Sequence, residues 1–174
     1  MHVLFICTGN ICRSPLAERL AVAYANRVDI PNFRASSAGV RAVVGHPIHD
    51  DAARILEQLG GAASNFAARQ LTSRIASDAD LLLTMTRAHR DAALELAPRQ
   101  LHRTFTLNEA ARMVSEFNAR HLADFAGLRS HIAADRRLDI PDPIGENAEF
   151  HATVGSQIAN LLPPILELFR RGHL

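Results

Sequence analysis

A chain of 174 residues that is 48% hydrophobic holds enough apolar material for a single well-packed domain, residues 1–174. Its formal charge of +1, from 19 basic and 18 acidic side chains, leaves no basic footprint for nucleic acid. No apolar stretch reaches the length that crosses a membrane, and the N-terminal run is too short and uncharged for a signal peptide.

The predicted elements alternate along the chain. Val3 to Ile6 is a short apolar run of the kind that forms a buried strand. Cys7-Thr8-Gly9-Asn10-Ile11-Cys12-Arg13 follow as a loop, and Ser14-Pro15 reads as N-cap and first helical residue. The helix runs from about 15 to 27, with Leu16, Leu20 and Tyr24 at helical spacing. Phe33 to Ser37 is a second strand, ending in Ala38-Gly39. Asp50 or Asp51 caps a second helix that runs to about Leu59 and stops at Gly60-Gly61. Asp80 to Met85 is a continuous apolar run typical of a central parallel strand. A helix spans about Arg87 to Leu96, closed by Pro98, and His102 to Thr106 is a fourth, shorter strand.

Residues 108 to 137 read as one or two further helices, with Asn108 as cap and Ala111, Val114, Phe117, Leu122, Phe125 and Leu128 as apolar positions. The last helix, about 148 to 171, contains Pro163-Pro164, which predicts a kink or a split. This alternation, with right-handed crossovers, predicts an α/β flavodoxin-like three-layer sandwich with a four-stranded parallel sheet. The Cys7 loop then lies at the carboxyl end of the first strand, where such folds bind ligands.

A tight loop between a strand and a helix N-terminus aims several backbone N–H groups at one point, and the helix dipole adds positive charge there. Thr8, Gly9, Asn10, Ile11, Cys12 and Ser14 would line such a nest for a phosphate-like oxyanion, and Arg13 would grip two of its oxygens. The same field favours a thiolate at Cys7, placed for in-line attack on a bound phosphoryl group. Two cysteines cannot make a disulfide scaffold, so a reducing cytoplasm is the expected setting.

The run Cys7-Thr8-Gly9-Asn10-Ile11-Cys12-Arg13-Ser14-Pro15 after an N-terminal strand closely resembles the signature of low-molecular-weight protein tyrosine phosphatases. The resemblance implies a far-downstream Asp-Pro pair whose Asp is the general acid, and Asp142, before Pro143 and Ile144, is the matching residue. Asp139 is the other candidate. The resemblance makes Cys7 nucleophile, Arg13 phosphate binder and Asp142 proton donor to the phenolate leaving group. Members carry a cysteine where Cys12 stands and form a reversible disulfide from it to the nucleophile. It further implies that Asn10 holds the loop, that Ser14 donates a hydrogen bond to Cys7, and that Ser37 ties the second loop to the first. Arg69 matches a structural arginine, whereas Phe66 stands where many relatives have a histidine. The usual connection before the acid loop is shorter, so residues 108–137 read as a helical insertion.

Ile11 favours phosphotyrosine, because related arginine-phosphate phosphatases carry Thr there. The aromatic walls of many relatives are replaced by Arg41-Ala42-Val43 before Val44-Gly45 and by Ile144-Gly145, which suggests weaker or different phenyl recognition. The expected partner is a phosphotyrosine protein, with no nucleic acid or membrane, and the expected state a monomer or weak dimer. His46-Pro47-Ile48-His49 with Asp50 and Asp51 reads as a loop entering a helix, and the chemistry needs no metal or other cofactor. Two alternatives stay open: an arsenate reductase that borrows a small thiol, and a non-catalytic phosphopeptide binder.

Overall fold

The computed structural model describes residues 1–132 and 138–171. Its sheet is four-stranded and wholly parallel, in the order β2-β1-β3-β4, from β1 (His2–Cys7), β2 (Arg34–Gly39), β3 (Leu81–Thr84) and β4 (Thr104–Thr106). This is the flavodoxin-like α/β architecture the sequence predicts.

Strand alternation sorts β1 between two cores. Val3, Phe5 and Cys7 face one core with α1 (Arg13–Arg27), α2 (Asp50–Gln58), α5 (Leu107–Ser115), α6 (Asp124–Leu128) and α7 (Ala148–Arg171). Leu4 and Ile6 face the other, with Ala76 of α3 (Ser73–Ser77) and Ala93 of α4 (Arg87–Leu96). Phe105 of β4 meets Phe125 of α6 edge to face at 5.4 Å, and Arg129 lies over the Phe105 ring. This pair ties the segment after β4 to the sheet. Among the described residues no helix is long and apolar enough to cross a membrane.

Several helix ends differ from expectation, and the reason recurs. The first helix starts at Arg13 with Cys12 as cap, because the Ser14 hydroxyl is spent on tertiary partners. His49 caps α2 by accepting from the Asp51 N–H, so Asp50 and Asp51 fall in the first turn, where carboxylates favour the dipole. Thr106 rather than Asn108 caps α5, in a capping box with Glu109, while Asn108 donates to the Leu138 carbonyl. The predicted fourth strand is shorter because Pro98–Arg103 form a 3₁₀ turn before it.

The last helix is not split. It runs unbroken from Ala148 to Arg171 with Pro163 and Pro164 inside. Two missing N–H donors are outweighed by burial of Ile158, Leu162, Ile165, Leu166, Leu168 and Phe169 on the core. Of the expected 108–137 insertion, residues up to 132 form α5, α6 and a 3₁₀ turn at Arg129–His131, and 133–137 lie outside the described residues.

Candidate active site

Cys7 ends β1, an interior strand of the sheet, and its side chain is buried. In β1–β2 register Cys7 stands beside Gly39. A Cβ on Gly39 would lie 2.4 Å from the Thr8 carbonyl oxygen, so only glycine lets β2 pass this close to the loop.

The loop carbonyls are tied outward. Cys7 O accepts from Val40 N, Thr8 O from Arg41 N, Gly9 O from Val43 N and Ile11 O from His49 N, all at 2.8–3.0 Å. A planar trans peptide points its N–H opposite to its C=O. The amides of Thr8, Gly9, Asn10 and Cys12 are thereby turned toward the loop's interior, an arrangement that suits an oxyanion.

Asn10 is the hub. It is buried and adopts φ 57°, a left-handed conformation Asn tolerates better than most residues. Its Oδ1 accepts from the Arg69 N–H at 2.9 Å, which fixes the amide's orientation. Its Nδ2 donates to Ser14 Oγ at 2.9 Å and to Ser37 Oγ at 2.8 Å. Ser37 donates onward to Glu18 Oε2, and Arg69 Nε donates to the Ser37 carbonyl. Burial, partly offset by the Ser37 hydrogen bond, raises the pKa of Glu18. Ser14 Oγ, which accepts from Asn10, also shares a 2.9 Å hydrogen bond with Cys7 Sγ. Phe66 has no part in this network. Arg69 supplies the donor to Asn10, and Phe66 lies under the Arg19 guanidinium instead.

Arg13 opens α1 and is only 4% exposed. It donates to the Ile140 carbonyl at 2.8 Å and pairs with Asp142 Oδ2 at 2.8 Å. Its Nε is buried with no hydrogen-bond acceptor among the described residues. Asp142 is half-exposed, and its other oxygen accepts from the Ile144 N–H. The rival Asp139 is committed elsewhere, accepting from the Arg87 N–H at the start of α4. Thus Cys7, Thr8, Gly9, Asn10, Ile11, Cys12, Arg13, Ser14 and Asp142 all converge on one place.

Sequence reasoning missed His89. It lies in the first turn of α4, next to the loop because β3 neighbours β1, and shares a 2.8 Å hydrogen bond with Thr8 Oγ1. Burial, then the positive charge of Arg13, pushes its pKa down to about 4, so the imidazole is neutral at ordinary pH. Strand order was the available signal, since the helix after a neighbouring strand must begin beside the loop. Burial first, then negative charge at Cys7 and Asp142, pushes the Cys12 thiol up to about 12. The rim is aliphatic: Val43, beside Gly9 and Ile11, and Val44 and Ile144 are all solvent-exposed. A separate groove of about 720 Å³ between α5 and α7, lined by Val114, Pro164 and Leu168, shares no residue with this site.

Comparisons with known proteins agree with this geometry. The profile described as "Low molecular weight phosphotyrosine protein phosphatase" matches residues 2–124. Low molecular weight protein-tyrosine-phosphatase Etp of Escherichia coli K12 is 36% identical over 107 residues, covering 62% of this chain and 69% of Etp. The low molecular weight protein tyrosine phosphatase of T. tengcongensis superposes with a TM-score of 0.76 at 27% identity, covering 96% of this chain and 98% of its own. A YwlE arginine phosphatase mutant with a phosphorylated active site serine gives 0.77 at 26% identity, covering 96% and 94%. The matched residues include the whole Cys7–Pro15 run, and the chain therefore belongs to the low molecular weight phosphotyrosine protein phosphatase family, a phosphomonoester hydrolase with phosphoproteins as its implied substrates.

Proposed function

We propose that the chain hydrolyses phosphotyrosine in proteins through a phosphocysteine intermediate. The observation that carries this reading is the Arg13–Asp142 contact at 2.8 Å above the loop that Cys7 begins. It supports a reading in which Cys7 is the nucleophile, Arg13 the anion binder and Asp142 the acid at one phosphoryl group.

In the first step the Cys7 thiolate attacks phosphorus, forming the S–P bond as the P–O bond to the phenol breaks. Asp142 gives its proton to the departing oxygen. In the second step Asp142 takes a proton from water, which attacks phosphorus, breaks the S–P bond and releases phosphate and the thiolate. Arg13 and the inward amides balance the charge on the three equatorial oxygens in both steps. The Ser14 hydroxyl stabilises the sulfur as nucleophile and as leaving group. The YwlE relative captured with a phosphorylated active site serine supports a covalent route at this position.

Ile11 and the aliphatic rim at Val43, Val44 and Ile144 favour packing against a flat phenyl ring over hydrogen bonding to a guanidinium. The likeness to an arginine phosphatase makes phosphoarginine the comparison that matters. The test is kcat/KM across phosphotyrosine, phosphoarginine, phosphoserine and a small aryl phosphate, with thiol-dependent arsenate reduction run alongside. Phosphotyrosine is expected to lead and Cys7→Ser to abolish turnover. A clear preference for phosphoarginine would overturn the substrate assignment, hydrolysis surviving in Cys7→Ser would overturn the mechanism, and arsenate reduction without hydrolysis would overturn both.

A further inference from the structure

Three donors from distant parts of the chain meet beside the loop without a role in the chemistry above. Cys12 comes from the end of the loop, His49 from the cap of α2 and His151 from the first turn of α7. One ligand atom of each lies within 4.8 Å of the other two. Nε2 of His151 is buried without a hydrogen-bond partner, in a side chain only 2% exposed. The Asp51 carboxylate lies 3.9 Å from that Nε2 and 3.9 Å from Nδ1 of His49. The two imidazole rings stack 5.2 Å apart with planes 11° from parallel.

A core histidine that serves only packing normally satisfies both ring nitrogens, since an orphaned buried polar atom costs about 1–3 kcal/mol. Here the orphaned Nε2 has the Asp51 carboxylate, itself paired with Arg54, 3.9 Å away, and its residue is grouped with a sulfur and a second imidazole. Thiolate, two imidazoles and one carboxylate are the donors a borderline-soft divalent ion takes in tetrahedral geometry. Bond lengths of about 2.0–2.3 Å put neighbouring donors roughly 3.5 Å apart, so closure requires side-chain movements of about 1 Å.

We propose that Cys12, His49 and His151, with Asp51 as fourth ligand, bind a zinc-class divalent ion beside the phosphate loop and apart from Cys7. As the metal–sulfur bond forms, the Cys12 S–H proton leaves to solvent, one proton per ion. The ion joins the loop to the starts of α2 and α7. It also occupies the sulfur that would otherwise be free to pair with Cys7. Hydrolysis itself uses none of these four side chains.

The test is titration of the chelator-treated, reduced protein with Co²⁺, followed by its thiolate-to-metal charge-transfer band and its tetrahedral visible bands. One ion per chain is expected, displaced by Zn²⁺, with the charge-transfer band absent in Cys12→Ser and present in Cys7→Ser. His151→Gln is expected to weaken binding at least about tenfold. His49→Ala, at a half-exposed cap, gives the same readout should the buried substitution impair folding. A band that survives in Cys12→Ser but is lost in Cys7→Ser would put the ion on the other sulfur and overturn the proposal. So would the absence of stoichiometric binding at millimolar Co²⁺.

Discussion

Asp142 and Arg13 form an ion pair at 2.8 Å in which the arginine is buried and the carboxylate half-exposed. The guanidinium that is proposed to hold the phosphoryl group thus also holds the proposed acid. Oxyanion and carboxylate then compete for the same cation. Asp142→Asn is expected to bind inorganic phosphate or vanadate more tightly, by up to about fivefold, since a half-exposed pair is worth at most ~1 kcal/mol. It is also expected to lose turnover on phosphotyrosine by about 100- to 10,000-fold, and less on esters with good leaving groups. Inhibition constants and a leaving-group series on one variant check both halves. Looser anion binding in Asp142→Asn would contradict the competition.

Asn10 combines a positive φ with three hydrogen bonds in a fully buried position. Asn10→Ala strands the Arg69 N–H and puts an ordinary residue in the left-handed region, a cost of about 3 kcal/mol or more. Asn10→Gly removes the same hydrogen bonds but not the backbone freedom. Thermal unfolding is expected to rank wild type above Asn10→Gly and Asn10→Gly above Asn10→Ala. Equal losses would assign the whole effect to the side chain.

His89 gives the fold an acid-sensitive point. Its folded pKa of about 4 lies below the ordinary 6.5, so the unfolded chain binds the extra proton first. The stability from the neutral, buried form is complete above pH 6.5 and is lost as pH falls from 6.5 toward 4. Between about pH 7.5 and about pH 5 this amounts to about 2 kcal/mol. His89→Gln keeps a hydrogen-bonding group for Thr8 but cannot charge. Urea unfolding at the two pH values is expected to show a correspondingly smaller acid loss in the variant.

Gly39 is fixed by sterics rather than by φ. Gly39→Ala sets a Cβ against the Thr8 carbonyl, and the loop or β2 must shift. The expected result is a loss of about 1–3 kcal/mol together with weaker oxyanion binding. A stable variant with unchanged phosphate inhibition would show that the loop absorbs the shift.

Most of the site was legible because it is local. Nine consecutive residues, Cys7 to Pro15, carry the loop, and the period-2 and period-3.6 patterns around them carry the sheet order's raw material. Asp142 required the resemblance as well, since Asp-Pro by itself reads only as a turn. What escaped depends on contacts far apart in sequence. His89, Glu18 and His151 reach the site from elements whose neighbours only the topology decides. Two of the helix caps went wrong for one physical reason. Ser14 and Asn108 are good caps by residue type, but tertiary partners claimed their side chains. The five-residue α3 had too short a pattern to register, and the two prolines of α7 were read without the core that holds them in line.

The place of β1 between β2 and β3 has a kinetic consequence. An interior strand with ladders on both sides opens only when the whole sheet does, so its amides should exchange hydrogen at the rate of global unfolding. The sulfur of Cys7 therefore rides on the slowest-exchanging part of the molecule. Asp142 rides on an exposed loop with few backbone ties, which belongs to the fast-exchanging end. Any motion that gates turnover then falls to the side of the proposed acid, and the side of the proposed nucleophile stays as a fixed anvil.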